Sequence, residues 1–571
     1  MAVNFIGKAS PDQLTEPFDV GAVVDEESGD SGSGDEEDIP DEAYDYDDPQ
    51  FDEAGQVRAY IDKSVVKSTE GSIEISASAN SAIFNITAGA AIGGQAGVQG
   101  SVSINYIYNQ VKVQIIGSQI TAEGDIKLEA LSLQRTSIPK GALQVESDRS
   151  EVDTFDGYDD DYDEGENDDY DNGEPRELTS IQSLAGAIAG GGKAGVGVAL
   201  AVNHIENSFE AGISASSTVD SSQGDIILLA SSQAGIETVS AALAGGKFAF
   251  AGAVSVNFIN NSVYALISDS TVSAAGSSTE PVGEWLPRIS ITAMDSSSIH
   301  SLSGQINIGM AAIGAAAGYN EISNEIKAFI VQGSKVNSSG WVTLKALSEA
   351  EIKNIVAGGG IGKVSVNGSV AINTIVNDVA AYISGSEVFA VQGVKLVASD
   401  YSEISSISGA IGGAALVAVG ASVAVNYVGT DDHPHRVHSY IEESLVRSSD
   451  GAIELVAESD AIIKSISAAG GFAGKVAANG AVSVNWIYTD VAAYILNCGS
   501  NDHQITAQDD IILEAIDRTA ISSIAGNVSG AGIAGVGAAV AVNFIGSGNI
   551  DGWDHDYTNV EVPDAMVDGD G

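Results

Sequence analysis

Residues 183–203 read SLAGAIAGGGKAGVGVALAVN, and the reading of this stretch decides the fold class. It is apolar at odd and even positions alike, so a strand made from it has no polar face. Its side chains are almost all small, which lets neighbouring backbones approach closely and leaves little room for water. Three glycines, Gly190 to Gly192, interrupt it in the middle. The expected structure is a buried pair of strands joined by a glycine turn, since no 3.6-residue period supports a helix.

Counting outward from Asn203 exposes a repeat. Equivalent asparagines stand at Asn4, Asn105, Asn257, Asn320, Asn373, Asn426, Asn485 and Asn543. Ten residues beyond six of the nine, an apolar residue closes a V-x-A-[YF]-I-like strand: Ile115, Ile213, Ile267, Ile330, Ile383 and Ile495. Two intervals are longer, Asn4 to Ile61 by 47 residues and Asn426 to Ile441 by 5. A second ruler is the alanine that ends stretches such as GDIKLEA and GDIILLA. An apolar residue follows nine positions later, as in Ala230 with Val239, Ala346 with Ile355 and Ala515 with Ile524. Only between Ala130 and Leu184 does an insertion, of 45 residues, intervene. Such spacing describes about eight repeats of roughly 53 residues.

A chain of 571 residues exceeds what one compact core usually holds, which fits an array. With 66 Gly and only 6% aromatic residues, the packing is that of small β-forming side chains. The fold is therefore expected to be all-β: an elongated parallel β-solenoid, with a long antiparallel roll or sheet of hairpins as the alternative. The ruler asparagines suit either a hydrogen-bonded ladder between successive repeats or strand ends turning into loops. Ten residues before them, the glycine turns carry Lys193, Lys247, Lys363 and Lys475, read as a solvated rim that discourages edge pairing.

The ordered recurrence of AVAVNFI, VAAYI, S-x-[VI]-x-A-x-G-D-I-x-L-x-A and I-x-S-I-A-G-A-I-A-G-G resembles the repeat regions of very large bacterial surface proteins of the leukotoxin and filamentous-adhesin type. The resemblance covers about 470 of the 571 residues. It implies a secreted, cell-surface β-solenoid that projects or adheres, with no catalytic residues to carry over. Its partners would be a host or environmental surface, polysaccharide or protein, and adjoining repeats of the same larger protein.

Charge is concentrated. Residues 10–55 hold 18 acidic and no basic side chains, 146–177 hold 16 against 2, and 547–571 hold 7 against none. These segments account for 39 of the 54 net negative charges. They are expected to be disordered loops on a body formed by 1–9, 56–145 and 178–546. Clustered carboxylates are hard oxygen ligands, so Asp159, Asp160, Asp161, Asp163, Asp168, Asp169 and Asp171 are candidates for weak Ca2+ capture, against a plain solvating spacer. The acidity speaks against nucleic-acid binding, which needs Lys and Arg for phosphate.

Other chemistry is thin. His433, His435 and His438, beside Asp431 and Asp432, form a candidate transition-metal loop. Gly530, Gly532 and Gly535 satisfy G-x-G-x-x-G, but a strand follows them, which excludes a dinucleotide turn. The single cysteine, Cys498, permits no internal disulfide, lacks a repeated His partner and leaves the compartment undecided. A carbohydrate-active solenoid enzyme needs paired carboxylates on one cleft. No pair breaks the repeat pattern, so the expectation is a rod without catalysis. The insertion around Glu280, Glu284 and Trp285 is the first place to look for a local site. Finally, AVNFIG occurs at both 2–7 and 541–546, each time followed by acidic sequence. The matching phase leads to the expectation of a segment of a longer array.

Overall fold

The computed structural model describes residues 2–6, 56–132, 179–276, 287–430, 433–499 and 503–546. The acidic segments, with Asp159 to Asp171, lie outside the described residues, as do Asp431, Asp432, Glu280, Glu284 and Trp285.

A single pass of the chain shows how the parts join. A short strand, Thr218–Ser221, is followed by the long strand Ile226–Ser268, which runs outward, turns at Gly245–Gly246 and returns through Asn257. The next short strand, Thr271–Ala274, then lies beside the first. Every strand ladder among the described residues is parallel and pairs each pass with the next. Asn203, for example, lies beside Asn105 on one side and Asn257 on the other. Among the described residues the only antiparallel pairing is an isolated bridge between Gly499 and Gln504. The long strands make one sheet of 18 strands and the short ones a second of 8. The protein is thus all-β with long parallel sheets, consistent with a β-solenoid. The 5-residue insertion is absorbed between Val428 and His435, where pairing resumes beside Asp378–Ser384.

Inward-facing residues shrink from one end of the cross-section to the other. At the wide end, Val113, Ile115, Ile120, Ile126 and Leu128 meet from three strands and are fully buried, as are their counterparts up to Ile453 and Leu455, whereas in the last pass Ile511 and Leu513 are 45% and 44% exposed. A single layer of isoleucines follows, among them Ile83, Ile107, Ile236 and Ile259. Beyond it alanines fill most of the gap, including Ala187, Ala199, Ala242 and Ala251, while the middle passes place the hydrogen-bonded Gln305, Asn307 and Asn367 there. At the thin end even a methyl group is too large: a Cβ on Gly195 would lie 2.3 Å from the carbonyl oxygen of Gly245. The glycine-rich stretch is therefore the edge of a tapered blade, where two sheets meet nearly backbone to backbone.

Two side-chain ladders lock the passes in register. Each ruler asparagine donates its Nδ2 to the Oδ1 of the next, from Asn4 through Asn105, Asn203, Asn257, Asn320, Asn373, Asn426 and Asn485 to Asn543, at 2.7–2.9 Å. The asparagines lie inside long strands, so the ladder reading holds and the strand-end reading does not. At the opposite corner the backbone N–H groups of Ser64, Ser118, Ser217, Ser270 and Ser386 donate to the hydroxyl of the next pass's serine at 3.0–3.4 Å. That ladder explains the serine of the S-x-[VI]-x-A motif.

Two expectations are corrected. The glycine-rich strands are buried on their inner side only, because they face each other and nothing described covers their backs. The apolar residues of the second ruler, Ile86, Leu302, Ile355 and Ile466 among them, point outward and are 41–48% exposed. The elongated rod is also not what this length of chain makes. The outward and return arms of one pass are about 20 residues each, roughly 65 Å, while nine asparagine rows span only about 38 Å along the stack. The described body is a slab, broader than it is tall, because each pass consumes so much chain.

The serine corner needs a left-handed backbone, and glycine supplies it in only some passes, at Gly117, Gly333 and Gly385. Gly385 has φ +57°, while Lys63, Asp269, Gln332 and Glu443 adopt +43° to +58° at the same corner. Glu443 is exposed, so Glu443→Gly is expected to raise stability by about 1 kcal/mol, and Gly385→Ala to lower it similarly, in urea titrations. Asn373 accepts from Asn320 and Asn354 and donates to Asn426. Asn373→Ala leaves several buried groups unpaired and should cost about 2–4 kcal/mol. Loss of hydrogen-exchange protection in the strands through Asn320 and Asn426 checks it; a cost below about 1 kcal/mol would show that the ladder does not hold the stack.

Candidate functional site

Four residues beyond the ruler asparagine lies a second buried row: Asn109, Asn207, Asn261, Asn324 and Asn377, continued by His435. Across the narrow interior the outgoing strands place Ser232, Asp295, Ser348, Asp400, Ser459 and Asp517 in register. An acid thus alternates with a serine from pass to pass. Of its acids, Asp295 and Asp400 are taken out of water, while Asp517 in the last pass is exposed.

Asp295 accepts from Asn261 at 2.8 Å, from Asn324 at 2.8 Å and from Ser297 at 2.6 Å. It is 3% exposed. Burial outweighs these hydrogen bonds and lifts its carboxyl to about 6, with the charge of Asp400 contributing in the same direction. Asp400 meets the opposite balance. Burial is opposed and outweighed by His435, Ser402 and Asn377, which hold its carboxyl below the ordinary range. The Nδ1 of His435 accepts the backbone N–H of Asn377 at 3.1 Å, so its proton sits on Nε2 and is donated to Asp400 at 2.8 Å. Both side chains are fully buried.

Outside this row, on the return strands, a shallow groove is lined by Glu206, Asn261, Glu325, Asp378, His433 and Arg436. Lys327 bridges Glu325 and Asp378, the latter at 3.0 Å. Burial works against its ammonium, but the Asp378 and Glu325 carboxylates prevail and raise its pKa. Nearby, stacked aromatic rings climb the passes: Phe329 on Tyr382, Tyr382 on Tyr440 and Tyr440 on Tyr494, with centroids 4.8–5.1 Å apart. They are the aromatic position of V-x-A-[YF]-I.

The candidate histidines are brought close in sequence but not to one point. His433 is exposed at the groove, His435 is sealed inside against Asp400, and His438 faces Asp490 at 3.1 Å. They alternate in and out because the chain re-enters a strand at His435. No group of three His, Cys, Asp or Glu able to hold a metal ion occurs among the described residues. Cys498 is half-buried against the wide-end core and donates to the Leu496 carbonyl. Gly530 and Gly532 lie on the thin edge, where a Cβ on Gly532 would sit 2.4 Å from the Gly474 oxygen. Lys193, Lys247, Lys363 and Lys475 are exposed along that edge. Among the described residues no helix is long and apolar enough to cross a membrane. The buried acid row was missed in the sequence, although its signal, Asn at ruler plus four in VNFINN, YNEISN and INTIVN, stands beside the motif that was counted.

Comparison of the chain with family models, with curated proteins and with solved structures finds no match in any of the three.

The pH dependence separates the two acids. Asp400, held low, adds stability above the ordinary carboxylate range that is lost as pH falls. Asp295, held high, binds its proton more tightly when folded, so its contribution weakens as pH rises from about 4 to about 6, by roughly 3 kcal/mol. The stability difference between the parent chain and Asp295→Asn, measured by urea unfolding at pH 4 and pH 7, should shift by that amount in favour of the variant at pH 7. An unchanged difference would mean that Asp295 titrates normally.

Proposed function

We propose that this chain is a structural and adhesive segment of a large secreted bacterial surface protein, built from about eight roughly 53-residue repeats, and that it does no catalysis. The observation that carries the reading is the unbroken register: nine asparagines hydrogen-bonded in one row from Asn4 to Asn543. Chemistry needs a pass that departs from its neighbours and opens a cleft. Here the acids taken inward are tied to Asn, Ser and His, and Glu325 and Asp378 on the groove are tied to Lys327.

The slab dimensions refine what such a segment delivers. Height grows by only about 4.8 Å for each pass, so length is the quantity these repeats supply least efficiently. Broad, flat, repetitive faces are what they supply in abundance. The adhesive role is therefore assigned to the faces, with the acidic segments keeping copies soluble.

Two measurements on the producing cell and the purified chain decide the matter. Surface proteolysis of intact cells followed by immunoblotting should remove the protein, and the purified chain should retain immobilised polysaccharide or host-surface protein without generating new reducing ends or unsaturated sugars. Protection of the protein inside intact cells would overturn the surface reading, and release of sugar products would replace it with the carbohydrate-active alternative.

A further inference from the structure

The outer face of the return strands is apolar over its whole height. Its outward rows lie seven, five, three and one residue before each ruler asparagine. In register, the row at minus three reads Val102, Leu200, Val254, Ala317, Val370, Val423, Val482 and Val540. Across all four rows, from the second pass to the last, no side chain is charged. Val98 is 68% exposed, Phe250 43%, Ile313 47% and Val370 38%. The band is about 23 Å wide and about 34 Å tall, near 800 Å². That exceeds the largest apolar patch of an ordinary monomer, about 300–600 Å².

We infer that this face is the interface with a second copy of the chain, packed sheet to sheet with its strands reversed. The area is the first reason: about 800 Å² per copy is what a standard, stable protein–protein interface buries. Charge is the second. Above the band, ten residues before the ruler, the thin edge carries exposed Lys193, Lys247, Lys363 and Lys475. Below it, one to three residues after the ruler, stand Glu206 and Glu321, which accept the hydroxyls of Tyr106 and Tyr319 at 2.6 Å. The middle of the band lies four residues before the ruler. Reversal about that line sets the lysine row opposite position plus two, between Glu321 at plus one and Glu206 at plus three. Lys193 and Glu206 belong to the same pass, so a two-fold axis parallel to the stack brings each copy's Lys193 to the other's Glu206. The other in-plane axis would set lysine edge against lysine edge.

The back face is also apolar near the edge, but the acids at its foot are already taken up, Glu351 by Lys353 and Glu403 by Lys464, and so offer the edge lysines less than Glu206 and Glu321 do. A lipid bilayer suits the geometry less well. Insertion by the edge would carry four lysines deepest, and a 23 Å band overshoots the roughly 15 Å hydrocarbon depth of one leaflet. An axis parallel to the stack has a further consequence: both copies point the same way, and the interface lengthens with every added pass.

Sedimentation equilibrium of the full chain at about 1–50 µM in 0.15 M NaCl tests the inference, since that salt screens the long-range repulsion of the acidic segments. The expected mass is twice that of the 58.1 kDa chain. Val370→Lys, at an exposed position mid-band, should weaken the dimer at least about 100-fold with β circular dichroism unchanged. Lys193→Glu and Glu206→Lys should each weaken it about 10-fold, and the double exchange should restore it. These charge exchanges lie on the surface and keep the test decisive even if Val370→Lys misfolds. A monomer at every concentration, or a dimer indifferent to all these changes, would overturn the interface. Failure of the double exchange to restore affinity would overturn the reversed arrangement. A monomer that floats with vesicles of phosphatidylcholine and phosphatidylglycerol would assign the face to lipid instead.

Discussion

The structure depends on one constraint: an asparagine amide sealed between two sheets has two donors and an acceptor to satisfy, and the neighbouring passes must supply a partner for one donor and for the acceptor. In parallel strands the identical residue lies directly above, so each Asn Nδ2 finds the next Asn Oδ1, and an error of one position would strand every member of the row. The aliphatic layers on either side tolerate sliding far better, since Val, Ile and Ala fill space without direction. Polar satisfaction thus sets the register, and hydrophobic burial supplies the driving force.

The taper follows from the sizes of the inward side chains. Three strands close around Ile, Leu and Val at the wide end, where a triangular core can exist. As the inward residues fall to one Ile, to Ala and finally to Gly, the two arms converge until carbonyl oxygens occupy the space a Cβ would need. A blade this thin buries only half of each strand. The same small residues that allow the close approach therefore oblige the other half, rich in Val and Ile, to face outward. The exposed apolar band is a direct consequence of how the interior is built.

Much of this was legible in the sequence. The repeat length, the positions of the insertions and the strand character came from spacing alone, and the asparagine row was identified by residue. The buried acids were not. Asp295 and Asp400 look like any surface carboxylates in AMDSSS and ASDYSE, because a strand's alternation assigns a side to each residue without saying which side is inside. His435 was grouped with His433 and His438 for the same reason. Two residues of spacing in a loop suggest a cluster, whereas in a strand at a corner they decide that one ring enters the core and its neighbours do not.

What the sequence by itself determined is the period, since identical residues at fixed intervals can satisfy one another only when stacked in parallel register. What the tertiary structure alone decided is which half of each apolar strand faces its twin and which faces out. The stretch 183–203 is apolar on both sides, so nothing in its letters distinguishes a strand buried in the middle of a body from one at its edge. The distinction rests on the distance between the two arms, and that distance is set by the glycines and alanines of every pass acting together.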